Sequence, residues 1–242
     1  MEKIYTIPIN EAFDERVSGE KNGCPFCALR RKYEHDELEL ILGASMMEPE
    51  IRIRTNEKGF CGDHFGKMLR FRKRLPLALM LESHLEETKS LTSDNPAAAL
   101  LKGAGSGVPE KLERLENSCY LCERIDGTMG KVFSNAVWLW DNDPDFRKKI
   151  DAMPYFCLPD FRAWLTAART ELKKKDYGEF YKETSKVVSG YLNSLKDDVS
   201  WFCKKFDYRY ENEPWGNAKD SVERAVAFLS GESDPESETK QS

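Results

Sequence analysis

The sequence has 242 residues, of which 40% are hydrophobic and 33% are charged, and its formal net charge is −5. This length permits one large domain or two domains of about 100 residues, and the composition excludes an intrinsically disordered chain. A mildly acidic protein lacks the concentrated basic surface that binding to phosphate backbones requires, so we expect no nucleic-acid partner. The basic run RFRKR (70–74) is interpreted as the solvated end of a helix.

The sequence also argues against a membrane or secreted protein. Its longest apolar run, LPLALML (75–81), has 7 residues, whereas a membrane-spanning helix needs roughly 20. The first 21 residues show no basic region followed by an apolar stretch, so we expect no secretory signal and a cytoplasmic location. In that reducing compartment, 7 cysteines indicate metal or redox ligands more readily than disulfides, and their odd number excludes complete pairing.

Apolar residues recur at helical spacing along most of the chain. One segment alternates instead with period two: EIRIRT (50–55), which indicates a short strand or an extended stretch. No alternation of strands and helices follows it, and we therefore predict a mainly α protein. The predicted helices, in chain order, are 28–42 ended by Gly43, 61–73, 75–87 with Pro76 at its first position, a long core helix carrying the apolar stripe 177–206, and 217–230 closed by Gly231.

The composition also suggests domain boundaries. The run SDNPAAALLKGAGSGVP (93–109) is rich in Gly, Ala, Ser and Pro, which is typical of a linker or a surface loop. We predict a first metal-binding helical unit over 1–92 and a second, related unit over 109–174. C-terminal helices over 175–231 are expected to pack on the second unit, and a polar tail over 232–242 is expected to be disordered.

The two halves of the sequence match each other at three places. CPFC aligns with CYLC, EPEIR with DPDFR, and GFCGDHFGKML with YFCLPDFRAWL. Cys24 and Cys61 lie 37 positions apart, and Cys119 and Cys157 lie 38 apart. Three matches in the same order and at nearly equal spacing predict an internal duplication. Each copy would be a helical unit that begins at a CxxC and ends at a Cys-x-x-His or Cys-x-x-Asp.

The first half contains a complete set of metal ligands. Tetrahedral zinc requires four nitrogen or sulfur donors, and residues three apart at the start of a helix project from one face. A redox CxxC is the alternative, because CPFC also occurs in glutaredoxin-like proteins. In those proteins the motif follows a buried strand, whereas here it follows the polar stretch SGEKNG. We therefore predict one Cys3His site formed by Cys24, Cys27, Cys61 and His64.

The second half offers Cys119, Cys122, Cys157 and, in place of histidine, Asp160. Three thiolates and a carboxylate around a divalent ion leave a charge near −2, which is costly to bury without nearby cations or donors. Three interpretations remain open. Asp160 is the fourth ligand; or a water or Cys203 completes the site; or the site is vestigial and its cysteines only pack. Cys203 lies on the long apolar stripe and also fits a small buried hydrophobic residue.

The cysteine pattern predicts a metal but does not by itself distinguish zinc from an iron–sulfur cluster. Thiolate-rich sites hold zinc and iron–sulfur clusters alike, so we predict one or two zinc ions with an iron–sulfur cluster as the alternative. None of the patterns GxSxG, GxxxxGK[ST], HExxH or GxGxxG occurs. The sequence therefore offers no catalytic constellation of these kinds.

Several stretches resemble one uncharacterised family over nearly the full length. They include IPINEAF (7–13), MEPEIRIRTNEKGFCGDHF (47–65), LALMLESHLE (77–86) and KFDYRYENEPWGNAKDSVERA (205–225), together with CPFC and the second CxxC followed by NDPDFR. The chain is similar to a domain-of-unknown-function family of cytosolic proteins from anaerobic Gram-positive bacteria. The resemblance implies no established activity. Family members end the second cluster with Cys-x-x-His, whereas this chain has Asp160.

Three functions fit these observations. The first is a non-enzymatic protein whose structural zinc organises the fold and presents a surface to a protein partner. The second is an iron–sulfur or thiol redox sensor or electron carrier, which suits the anaerobic hosts that the resemblance implies. The third is a metalloenzyme in which Cys119, Cys122 and Cys157 bind a metal with an open position for water, and Asp160 is the general base. The sequence favours a protein without enzymatic activity and does not predict its oligomeric state.

Overall fold

A computed structural model describes residues 6–92 and 107–232. Among these residues there are eleven α-helices and no strand, which confirms the predicted mainly α fold class. The predicted linker (93–109) and the predicted tail (232–242) lie almost wholly outside the described residues. None of the described helices has the length and apolar character needed to cross a bilayer.

Eleven α-helices make up most of the described chain. The described residues also contain short 3-10 helices at Ala44–Met47, Tyr208–Tyr210 and Gly216–Ala218. The helices are α1 (Ile7–Val17), α2 (Pro25–Ile41), α3 (Pro49–Lys58), α4 (Gly62–Arg70), α5 (Arg74–Thr92), α6 (Val108–Glu116), α7 (Tyr120–Asn142), α8 (Pro144–Ala152), α9 (Leu158–Glu171), α10 (Lys174–Lys204) and α11 (Ser221–Ser230).

The segment EIRIRT is helical, so the prediction of a strand or an extended stretch was wrong. It lies within α3, which has proline at its first turn and ends at Gly59, where φ is +58°. Thr55 is buried, Ile51 four residues earlier is half-buried, and Ile53 is 57% exposed. Burial therefore follows the helical repeat, and the alternation of isoleucine and arginine does not mark the face of a sheet.

The described residues pack into two compact units. Of the described residues, unit 1 contains 6–31 and 129–232, and unit 2 contains 32–92 and 107–128. The boundaries fall inside α2 and α7. Each unit therefore combines segments from both halves of the sequence, and this division differs from the consecutive ranges predicted above.

Unit 1 has an aromatic core next to two of the predicted metal ligands. Phe13, Phe26, Phe146, Phe156 and Trp164 are fully buried. The Phe26 and Trp164 rings lie 5.0 Å apart between centroids, and Phe156 and Trp164 lie 5.2 Å apart. Phe26 stands inside the CPFC motif and Phe156 directly precedes Cys157. Packing of these rings therefore fixes the starts of α2 and α9, where the cysteines lie.

Unit 2 repeats this arrangement on a smaller scale. Tyr120, which directly follows Cys119, is buried, and its ring centroid lies 6.4 Å from that of Phe60. Phe60 directly precedes Cys61. The rest of this core is aliphatic and includes Leu38, Leu42, Met68, Leu77, Met80, Leu121 and Ile125. Aromatic residues beside the cysteines thus position the starts of α4 and α7.

The predicted long core helix is present as α10, with Phe180, Val188 and Leu195 buried along one side. Its C-terminal part differs from the prediction. Cys203 is exposed, and Phe206, which lies beyond the helix end, is 77% exposed. The interpretation of Cys203 as a small buried hydrophobic residue was therefore wrong.

Candidate metal centres

The eight predicted ligands assemble into two groups, each with its donor atoms within 4.8 Å of one another. We call them the His site and the Asp site. Neither group comes from one half of the sequence, so the expected grouping within each half was wrong. The His site consists of Cys61, His64, Cys119 and Cys122, and the Asp site consists of Cys24, Cys27, Cys157 and Asp160.

Each site is built from the N-termini of two helices. The first cysteine of every pair directly precedes a helix and the second ligand is its third residue, as with Cys61 and His64 at α4 or Cys157 and Asp160 at α9. The Cys157 carbonyl accepts the Phe161 N–H at 2.9 Å, as expected of a residue that caps a helix. Residues at these two positions point to the same side of the first turn, and two such turns supply four donors.

A contact between α4 and α2 accompanies the exchange of ligands between the halves. Helix α2 has 17 residues and is about 26 Å long, whereas α3 has 10 residues and is about 15 Å long. His64 contacts Glu34, ten residues after Cys24. The partner that completes the site with Cys61 and His64 is the CxxC of the other half.

The donor distances in the His site fit a single tetrahedral ion. The sulfurs of Cys61 and Cys122 lie 3.8 Å apart. His64 Nδ1 lies 3.2, 3.3 and 3.4 Å from the sulfurs of Cys61, Cys119 and Cys122. Bonds of ordinary zinc length predict about 3.8 Å between two sulfurs and about 3.5 Å between sulfur and nitrogen. The four donors thus already have the spacing of a zinc coordination shell.

A carboxylate behind the histidine orients its ring. The Nε2–H of His64 donates to Glu34 Oε1 at 3.1 Å, which leaves Nδ1 directed at the three thiols. Lys67 forms an ion pair with the other oxygen of Glu34. A carboxylate at this position is the usual outer partner of a metal-binding histidine. Sequence reasoning missed Glu34, because it precedes His64 by thirty residues and no local pattern links them.

The electrostatics of the His site favour a charged donor set. Burial raises the pKa of Cys119. Hydrogen bonds with His64 and with neighbouring backbone N–H groups together outweigh burial and lower that pKa to about 6. Burial lowers the pKa of His64, whereas contacts with Cys119 and Glu34 raise it to about 10. Burial raises the pKa of Glu34, and His64 and Lys67 lower it to about 2. The charged forms of Cys119, His64 and Glu34 are therefore favoured together.

The Asp site is the more deeply buried of the two. All four of its residues are buried, and Asp160 is only 4% exposed. Asp160 Oδ2 lies 3.1, 3.2 and 3.6 Å from the sulfurs of Cys157, Cys27 and Cys24. Tetrahedral zinc predicts about 3.6 Å between a sulfur and a carboxylate oxygen. Asp160 thus has the position of a fourth donor, whereas Cys203 lies outside the group.

Positive groups compensate the negative charge of the Asp site. Arg30 Nη2 lies 3.8 Å from Asp160 Oδ1, and the Glu232 N–H donates to the Cys27 sulfur at 3.4 Å. The N-termini of α2 and α9 each add roughly half a positive charge. Burial and the Cys27 thiolate still raise the pKa of Asp160 to about 6. Burial raises the pKa of Cys24, whereas hydrogen bonds from Cys157 and Cys24 lower that of Cys27.

This geometry is that of closed, four-donor sites. Catalytic zinc normally keeps one position for water or substrate, and structural zinc has four protein ligands. The ligand set of the metalloenzyme hypothesis is not brought together. Cys119 and Cys122 belong to the His site, and Cys157 and Asp160 belong to the Asp site.

Comparison with known proteins agrees with the expected resemblance to an uncharacterised family. A family model described as "Family of unknown function (DUF6062)" matches residues 1–236. The chain belongs to this family. No curated protein and no solved structure matches it. The DUF6062 family has no described function, so the two donor sets are the observations on which a function can be based.

Proposed function

We propose that this DUF6062 protein is a non-enzymatic zinc protein, with one ion in the His site and one in the Asp site. The observation that carries the proposal is the convergence of four donor atoms within 4.8 Å in each unit. Both sets use the same construction from two helix N-termini. This supports the proposed internal duplication, in which each unit takes one ligand pair from each copy.

Donor type and spacing favour zinc over an iron–sulfur cluster. Sulfur with nitrogen or carboxylate oxygen suits zinc, and two of the sulfur pairs lie only 3.5 and 3.8 Å apart. A cluster distributes its four protein ligands over two or more iron atoms, so these ligands cannot all lie within 4.8 Å of one another, as the donors of each site do. Intact thiolate ligands also require a reducing compartment, which supports the proposed cytoplasmic location.

The proposed role of the ions is to hold helix N-termini together. Structural zinc contributes an apparent 10–16 kcal/mol in small peptides, which is comparable to the whole stability of a domain of about 5–15 kcal/mol. Without an ion, each site holds three sulfur groups and an acid or a histidine at close range. With both donor sets closed, we propose that the zinc-organised surface acts by binding a protein partner.

Elemental analysis of protein purified under anaerobic conditions tests this proposal. We expect two zinc ions per chain and a colourless solution. A brown solution that contains iron and acid-labile sulfide would contradict it in favour of the redox alternative. Protein that contains no metal, and binds none when zinc is supplied to the reduced chain, would contradict both.

A further inference from the structure

We propose that Glu232 is a positioning residue that holds the Asp site closed and thereby slows release of its metal. This inference rests on the proposed function, since it concerns the ion in that site. Glu232 is not one of the four donors. It directly follows Gly231, the residue after α11, and its side chain is 15% exposed.

Four interactions converge on Glu232 from separate parts of unit 1. Its Oε1 accepts hydrogen bonds from the Tyr155 hydroxyl, at 2.6 Å, and from the backbone N–H of Cys24. Its Oε2 lies 3.0 Å from Arg31 Nη1. Its own N–H donates to the sulfur of Cys27 at 3.4 Å. One residue thus contacts both cysteines of the CPFC motif and also the segment that leads to Cys157.

Glycines with positive φ stand next to both ends of this contact, at Gly23 and Gly231. Gly23 has φ +104°, and a Cβ at this position would lie 2.7 Å from Glu232 Oε2 and 2.8 Å from its Cδ. Gly231 has φ +87°, and a Cβ there would lie 3.9 Å from the sulfur of Cys27. Residues with side chains rarely adopt such positive φ values. Gly23 therefore leaves room for the Glu232 carboxylate, and Gly231 supplies a backbone conformation that other residues rarely adopt.

Packing of α11 determines where Glu232 lies. Phe228 is buried, and its ring centroid lies 5.7 Å from that of Tyr191 and 6.5 Å from that of Tyr155. Tyr155 is also the hydroxyl donor to Glu232. Exposing the Asp-site ligands on this side requires Glu232 to give up an ion pair and three hydrogen bonds. Release of the metal therefore depends on opening of the C-terminal segment.

The His site is the internal reference for this effect. Two of its thiols, Cys61 and Cys122, are half-buried, whereas the Asp-site donors are all buried. A chelator should therefore remove the His-site ion in a fast phase and the Asp-site ion in a slow one. A Cys157→Ser variant, which lacks an Asp-site ligand, should lose the slow phase and so assign it.

The experiment follows zinc release from the full-length protein to an excess of a zinc-binding dye, after the starting zinc content has been measured. In Glu232→Ala, we expect the slow phase to become about 10–100 times faster, because loss of outer contacts lowers metal affinity by about this factor and we expect the loss to fall on the release rate. The fast phase should not change. Glu232→Gln keeps one acceptor oxygen for Tyr155 and Cys24, loses the ion pair with Arg31, and should recover part of the slow rate.

The matched control is Glu223→Ala on the exposed side of α11, which should release both ions as the unchanged protein does. Glu232→Ala that purifies with one zinc ion, while Glu232→Gln purifies with two, has lost the Asp-site ion before the measurement. That result also supports the inference. Two ions and an unchanged slow phase in Glu232→Ala would overturn the inference about Glu232 and leave the proposed zinc function intact. An unchanged protein that binds no zinc would overturn the proposed function as well.

Discussion

Replacing Glu34 by glutamine should weaken zinc binding at the His site. The Glu34 carboxylate accepts the Nε2–H of His64 at 3.1 Å, and its negative charge increases the donor strength of Nδ1. Glutamine keeps the length of the side chain and removes the charge. Loss of such an outer partner lowers metal affinity 10–100-fold, which corresponds to about 1.4–2.7 kcal/mol.

The assay is competition for zinc against a chromophoric chelator of known affinity. It should show one weakened site in Glu34→Gln and one unchanged site, because Glu34 does not contact the Asp site. Glu37→Gln is the matched control. Glu37 lies on the same helix and forms a two-point ion pair with Arg124, but it does not touch a ligand. Equal zinc affinities in the two variants would refute the reasoning that Glu34 acts through His64.

Two further predictions concern stability. Removing zinc with a strong chelator under reducing conditions should lower the melting temperature followed by circular dichroism, because the coordination bonds that join the helix ends are then lost. Metal-free protein that melts as the loaded protein does would contradict this. Phe26→Ala should lower the free energy of unfolding in urea by about 3–5 kcal/mol, since the ring is fully buried among aromatic neighbours. Phe206→Ala, at a 77% exposed position, should change it by less than about 0.5 kcal/mol. Similar losses in the two variants would count against the described core.

Local features of the sites could be predicted from the sequence. A cysteine and a second ligand three residues later, at the start of a helix, must point to one side, and this holds at α4 and α9. The mainly α class followed from periodicity in the same way. These features depend only on residues within one turn of each other.

Features that depend on distant residues were not predictable from the sequence. Which two ligand pairs meet is decided by packing between segments far apart in the chain. Helix α7, with 23 residues, was expected only as part of the second helical unit and not as one continuous helix, because Gly127, Thr128 and Gly130 weaken the helical signal in its middle. Glu34 and Glu232 act on residues 30 and about 200 positions away, so no local pattern indicates them.

Counting zinc in two double-cysteine variants tests the central claim most directly. The structure places Cys27 and Cys157 in the same site and Cys27 and Cys61 in different sites. The variant with Cys27→Ser and Cys157→Ser should therefore retain one zinc ion per chain, and the variant with Cys27→Ser and Cys61→Ser should retain none. Sites formed within each half of the sequence would give the opposite counts, and that result would contradict the exchange of ligands between the halves.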